Sequence, residues 1–94
     1  MSDLTSMQLE LYGNVQGVFF RNYTATKATE CCVSGYVRNL PDGRTVEVMG
    51  EGEREKLEEL IYCLKEGPPG ANVEKIDINW SDYSGNYQGF VIKH

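Results

Sequence analysis

MQLELYGNVQGVFFR, residues 7–21, decides how this chain is built. Its first half alternates. Met7, Leu9, Leu11 and Gly13 share one parity; Gln8, Glu10 and Tyr12 share the other. Period two with one apolar face describes a strand packed on one side and wet on the other. The alternation then stops in a stretch bracketed by Gly13 and Gly17. Beyond it, Phe20, Thr24, Ala28 and Cys31 recur at helical spacing. A strand therefore passes through a glycine-bearing loop into a helix. Glycine costs a strand or helix interior about 0.5–1 kcal/mol, so a loop that carries two has a use for unusual backbone.

Working outward, the pattern repeats. Val33, Gly35, Val37 and Asn39 alternate with Ser34, Tyr36 and Arg38. Val46 and Val48 alternate with Thr45 and Glu47. Pro41-Asp42-Gly43 between them is turn chemistry, so residues 33–49 read as a hairpin. In EREKLEELIYCLKEG, residues 53–67, Leu57, Leu60, Ile61 and Leu64 form the apolar stripe of a second helix, stopped by Gly67 and Pro68. GPPGA, residues 67–71, is a stiff loop. Ile76, Ile78 and Trp80 mark a fourth strand, and Phe90 with Ile92 a short last one.

The order is β-α-β-β-α-β with a small extra strand. That is the ferredoxin-like split β-α-β sandwich of the α+β class: an antiparallel sheet, two helices on one face, and a short C-terminal addition. Residues 1–94 read as one domain, with no linker or internal repeat.

Composition narrows the function. The net charge of −5 disfavours a nucleic-acid binder, which carries a basic patch, yet permits a local anion site. Three cysteines, two of them adjacent, suggest neither a disulfide framework nor a zinc site. No apolar run fits a signal peptide or a membrane span, so the expected location is cytoplasmic.

Topology then gathers the candidate residues. Strands joined by a crossover helix run parallel, so the first two strands end at the same rim of the sheet. With one strand between them, those ends lie roughly 10 Å apart, at about 4.8 Å per strand. Asn39 keeps the core-side parity of Val37, and Arg38 faces away. Asn39 has two possible uses, tying the turn or reaching a ligand. Opposite it, the glycine loop can curl its N–H groups into an anion-binding nest, helped by the free amides that begin the helix. Arg21 sits at that helix start, where the dipole disfavours a cation. It reads either as an exposed arginine over a turn or as a clamp on phosphate oxygens.

GNVQGVFFR followed by GYVRNLPDG resembles the paired motifs of the acylphosphatases, and the likeness runs through GEGEREKLEEL to the closing GFVI. Arg21 and Asn39 stand 18 positions apart, as the family pattern requires. The resemblance implies hydrolysis of the carboxyl-phosphate bond of acyl phosphates without metal or cofactor. It implies that the loop amides of Val15, Gln16, Gly17, Val18, Phe19 and Phe20 cradle phosphate, that Arg21 binds its oxygens, and that Asn39 orients the attacking water. The implied partners are a small acyl phosphate and inorganic phosphate, as product and competitive inhibitor; the expected state is a monomer bound to neither nucleic acid nor membrane. Three positions depart from the family's habits. Asn14 stands where many members carry a basic residue, which lowers the expected phosphate affinity; Phe19 is bulkier than usual; Leu40 replaces a hydroxyl residue of vertebrate members.

Other readings of the same residues lead elsewhere. Cys32 and Arg38 have the cysteine-x5-arginine spacing of tyrosine phosphatases, but an extended strand would hold them roughly 20 Å apart. Tyr12 and Tyr36 on the open sheet face suit base stacking by an RNA-binding domain of the same plan. Acylphosphatase-like modules also occur inside larger carbamoyl-transfer maturation proteins. His94, the single histidine, reads as a solvated terminus away from any site.

Overall fold

The alternation at Met7, Leu9 and Leu11 becomes the middle of a long first strand, with all three side chains fully buried. In the computed structural model of the protein, which describes residues 3–17 and 19–94, the chain forms β1 (Leu4–Asn14), α1 (Phe20–Glu30), β2 (Ser34–Asn39) and β3 (Thr45–Glu53). It continues through α2 (Arg54–Glu66), β4 (Asn72–Asp82) and β5 (Phe90–Lys93). The five strands make one sheet in the order β4-β1-β3-β2-β5. As the sequence implies, β3 lies between β1 and β2, and these pairings are antiparallel. The last strand departs from the antiparallel expectation. It pairs parallel to β2, with Gly35 opposite Phe90 and Val37 opposite Ile92, so the sheet is mixed.

One core holds the layers together. Leu57, Leu60, Ile61 and Leu64 of α2 and Phe20 and Ala28 of α1 join Met7, Leu9, Leu11, Val37, Val46 and Val48 of the sheet. Both helices therefore cover the same face. Thr24 is also fully buried, and its hydroxyl donates to Phe20 O at 2.8 Å, so a weak helix former sits in the core without an unpaired oxygen. The helix ends as Cys32 turns left-handed (φ 57°) and Val33 N donates back to Ala28 O. Gly13 marks a bulge between β1 and β4, where a Cβ would run into the carbonyl oxygen of Asn72.

The opposite face carries a polar network. Glu47 accepts from Arg38 Nε at 2.6 Å, Gln8 Nε2 at 3.1 Å and the Tyr36 hydroxyl at 3.2 Å. The Tyr12 hydroxyl donates to Glu10 at 2.7 Å. That hydrogen bond pushes the Tyr12 phenol up; burial, then Glu47, does the same at Tyr36. Both tyrosine hydroxyls are thus engaged by carboxylates, while Lys75 and Lys93 stand over the Tyr12 and Tyr36 rings at 5.5 and 4.0 Å from their centroids.

A buried carboxylate anchors the way to β5. Glu51 is only 3% exposed and accepts from Ser84 N at 3.0 Å, Ser84 Oγ at 2.7 Å and Gly85 N at 3.0 Å. Burial pushes its carboxyl up, but the Ser84 hydroxyl and the two amides outweigh that and hold it below the ordinary range. A depressed folded value means the contribution is complete above the unfolded value of about 4.3 and is lost as pH falls through the folded one. Glu51→Ala, which strands those donors, is expected to cost about 2–4 kcal/mol at pH 7. Denaturant titrations at pH 7 and in acid check this: wild type should lose stability on acidification more steeply than the variant.

Candidate active site

The loop after β1 is held at both ends by its own apolar residues. Val15 and Phe20 have their side chains in the core, 0% and 1% exposed. Between them the Gln16 carboxamide reaches across to the β2–β3 turn, donating from Nε2 to Leu40 O at 3.0 Å and Thr45 O at 2.9 Å. This strap joins the two motifs that lie far apart in the chain. Asn14 takes no part; its Nδ2 donates to Gly70 O at 3.1 Å, tying β1 to the GPPGA loop.

The loop backbone is turned into left-handed conformations. Gly17 has φ 77°, and nothing lies within 4 Å of where its Cβ would stand. Phe19, the residue before α1, has φ 58° and ψ 25° and makes no side-chain cap. Left-handed residues in such a turn point successive N–H groups toward one side. The amides of Val15, Gln16, Gly17, Phe19 and Phe20 find no acceptor among the described residues, and the first turn of α1 holds no acidic side chain. Val18, the remaining loop residue named above, lies outside the described residues.

Asn39 stands across from this loop. Its two possible uses are now separated, because the turn is tied by another residue. Asp42 accepts from Arg44 N and Thr45 N, both at 2.9 Å, and from the Thr45 hydroxyl. The Thr45 hydroxyl, then the Arg44 amide, hold its carboxyl below the ordinary range. The Oδ1 of Asn39 is buried and accepts no hydrogen bond among the described residues. An orphaned buried acceptor costs about 1–3 kcal/mol, so its position calls for a reason other than the turn.

Arg21 closes the third side. Its Nη1 donates to Lys93 O at 3.3 Å and lies 3.2 Å from Nδ1 of His94. The guanidinium is therefore steered by the end of β5. His94 corrects the sequence reading: it lines the cleft instead of standing apart from it. No local motif pointed to this, since the contact depends on β5 pairing parallel to β2 beside the start of α1. Gly17, Phe19, Arg21, Asn39 and His94 together border a cleft of about 360 Å³. A groove of about 400 Å³ along β4, lined by Lys65, Val73, Ile76 and Ile78, is larger but has neither glycine loop nor helix start. Among the described residues no group of three or more His, Cys, Asp or Glu side chains is placed to hold a metal ion. No helix among them is long and apolar enough to cross a membrane.

The rival phosphatase motif comes apart. Arg38 lies on the open face, bound to Glu47, while Cys32 is exposed before β2 begins. Cys31 is buried, which pushes its thiol up.

A split β-α-β sandwich with a glycine loop, an arginine and an asparagine at one rim defines a class: small α+β domains with a polar cleft at a helix start. Comparison with known proteins places the chain within that class. The acylphosphatase family pattern matches residues 7–92. An acylphosphatase of Dehalococcoides mccartyi is 44% identical over 82 residues, covering 87% of this chain and 90% of that protein. The crystal structure of acylphosphatase from Bacillus subtilis superposes with a TM-score of 0.91 at 30% identity, covering 98% of this chain and all of that one. Full-length HypF in its phosphate- and nucleotide-bound form is similar at a TM-score of 0.85 and 29% identity, covering all of this chain and 12% of that one. The protein belongs to the acylphosphatase family.

Proposed function

We propose that residues 1–94 act as one acylphosphatase domain, hydrolysing the carboxyl-phosphate bond of small acyl phosphates in the cytoplasm as a monomer. The phosphate sits against the amides of Val15, Gln16, Gly17, Val18, Phe19 and Phe20. Arg21 binds two of its oxygens. Phosphoryl transfer asks the protein chiefly for positioning and charge stabilisation, and this arrangement supplies both. The single observation that carries the reading is the buried Oδ1 of Asn39, which has no partner among the described residues and borders the same cleft as Arg21 and the glycine loop. That oxygen accepts a hydrogen bond from water and aims it at phosphorus.

Attack by the water oxygen breaks the bond between phosphorus and the acyl oxygen. The electron pair leaves with the carboxylate, whose conjugate acid has a pKa of about 4, so no general acid is needed. The proton of water passes to a phosphate oxygen. The test is hydrolysis of benzoyl phosphate with chelator present. Turnover should persist and be inhibited competitively by inorganic phosphate. Absence of hydrolysis would overturn the reading. His94→Gln should leave the shape of the pH–rate profile intact; a limb that vanished with the imidazole would give the proton to His94 instead.

A further inference from the structure

Phe19 is placed at a double disadvantage. It is 80% exposed, the most exposed of the large apolar residues among those described. Its backbone is left-handed, at φ 58° and ψ 25°, which costs a non-glycine residue on the order of 1–3 kcal/mol. Neither core packing nor backbone preference accounts for phenylalanine there. Glycine would remove both penalties. An observed outlier of this kind, at the edge of a cleft, points to a role in what the cleft receives.

Phe19 borders the same cleft as Gly17, Arg21 and Asn39. About 360 Å³ is within the range of small-molecule sites and exceeds what a phosphate group alone requires. With the phosphate held on the loop amides, the rest of an acyl phosphate must leave the cleft past its rim. The rim offers Phe19 as an apolar residue that the described residues leave mostly uncovered.

We infer that the acyl group of the substrate packs on the Phe19 ring, so that the site selects acyl phosphates with aromatic or bulky apolar acyl groups over small ones such as acetyl phosphate. This rests on the acyl-phosphate reading above. Phe19 then acts at two levels: its left-handed backbone shapes the loop, and its side chain discriminates between substrates. Contact between an aromatic acyl group and an aromatic ring, with the area it removes from water, supports roughly tenfold discrimination.

The experiment measures kcat/KM for benzoyl phosphate and acetyl phosphate with wild type, Phe19→Gly and Phe19→Tyr. Taking the benzoyl-to-acetyl ratio within each protein cancels any general effect on the loop or the phosphate site. Phe19→Gly accommodates the left-handed backbone and is expected to lower that ratio roughly tenfold, chiefly through KM for benzoyl phosphate. Phe19→Tyr, which keeps the ring, should hold the ratio within about threefold of wild type. An unchanged ratio in Phe19→Gly would overturn the inference while leaving acyl phosphate hydrolysis intact. Equal loss of the ratio in both variants would do the same. Wild type that hydrolyses neither substrate would instead remove the reading beneath it.

Discussion

Asn39→Ala is expected to cut kcat for benzoyl phosphate by about 10²-fold or more while leaving inhibition by inorganic phosphate nearly unchanged. The carboxamide contributes to where water stands, and misplacement of a reactant by about 1 Å is enough for a loss of this size. Phosphate binding is not expected to depend on it, because the proposed phosphate ligands are the loop amides and the guanidinium. Stability should not fall. The buried Oδ1 has no partner among the described residues, so removing it takes away a desolvation penalty without stranding another group. A variant with intact or raised unfolding midpoint, intact phosphate inhibition and lost turnover would match this account. Loss of phosphate affinity in parallel with turnover would contradict it.

Arg21→Ala should give the complementary result. Its guanidinium is the cation proposed to meet phosphate oxygens, and loss of one aimed donor typically costs about 10²–10³ in rate. Here inhibition by inorganic phosphate should weaken as well, which separates this variant from Asn39→Ala. Arg21→Lys should recover little, since an ammonium cannot reproduce two parallel hydrogen bonds. Stability again argues against a merely structural role. A cation in the first turn of α1 opposes the helix dipole by about 0.3–1 kcal/mol, so the alanine variant should unfold no more easily than wild type. Phosphate inhibition that survived the loss of Arg21 would show that the loop amides hold the anion unaided.

Asn39 and Arg21 border one cleft, and three unrelated contacts hold their segments there. Gln16 straps the loop to the β2–β3 turn. Asp42 ties that turn. Glu51 anchors the approach to β5, whose last carbonyl, at Lys93, receives a hydrogen bond from Arg21. Two of these are backbone-directed bonds from side chains whose local sequence suggests ordinary turn or loop chemistry. Their consequence is the relative placement of groups that carry no information about one another in the chain.

Period two at Met7–Leu11, Val33–Val37 and Val46–Val48, and period 3.6 at Leu57–Leu64, were sufficient for the architecture. A side chain's face in a strand or helix follows from its parity or its angular position alone. The same rule sent Asn39 inward and Arg38 outward, and the crossover rule put the glycine loop and Asn39 at one rim. Sequence by itself therefore determined the sandwich, the rim and the two polar residues that meet there. It could not determine that Asn39 Oδ1 finds no partner among the described residues, that Asp42 takes over the turn, that β5 adds in parallel, or that His94 comes within 3.2 Å of Arg21. Those outcomes depend on which of several possible partners each group finds once distant strands are paired. Such competition is resolved by packing in three dimensions, and periodicity along one chain carries no trace of it.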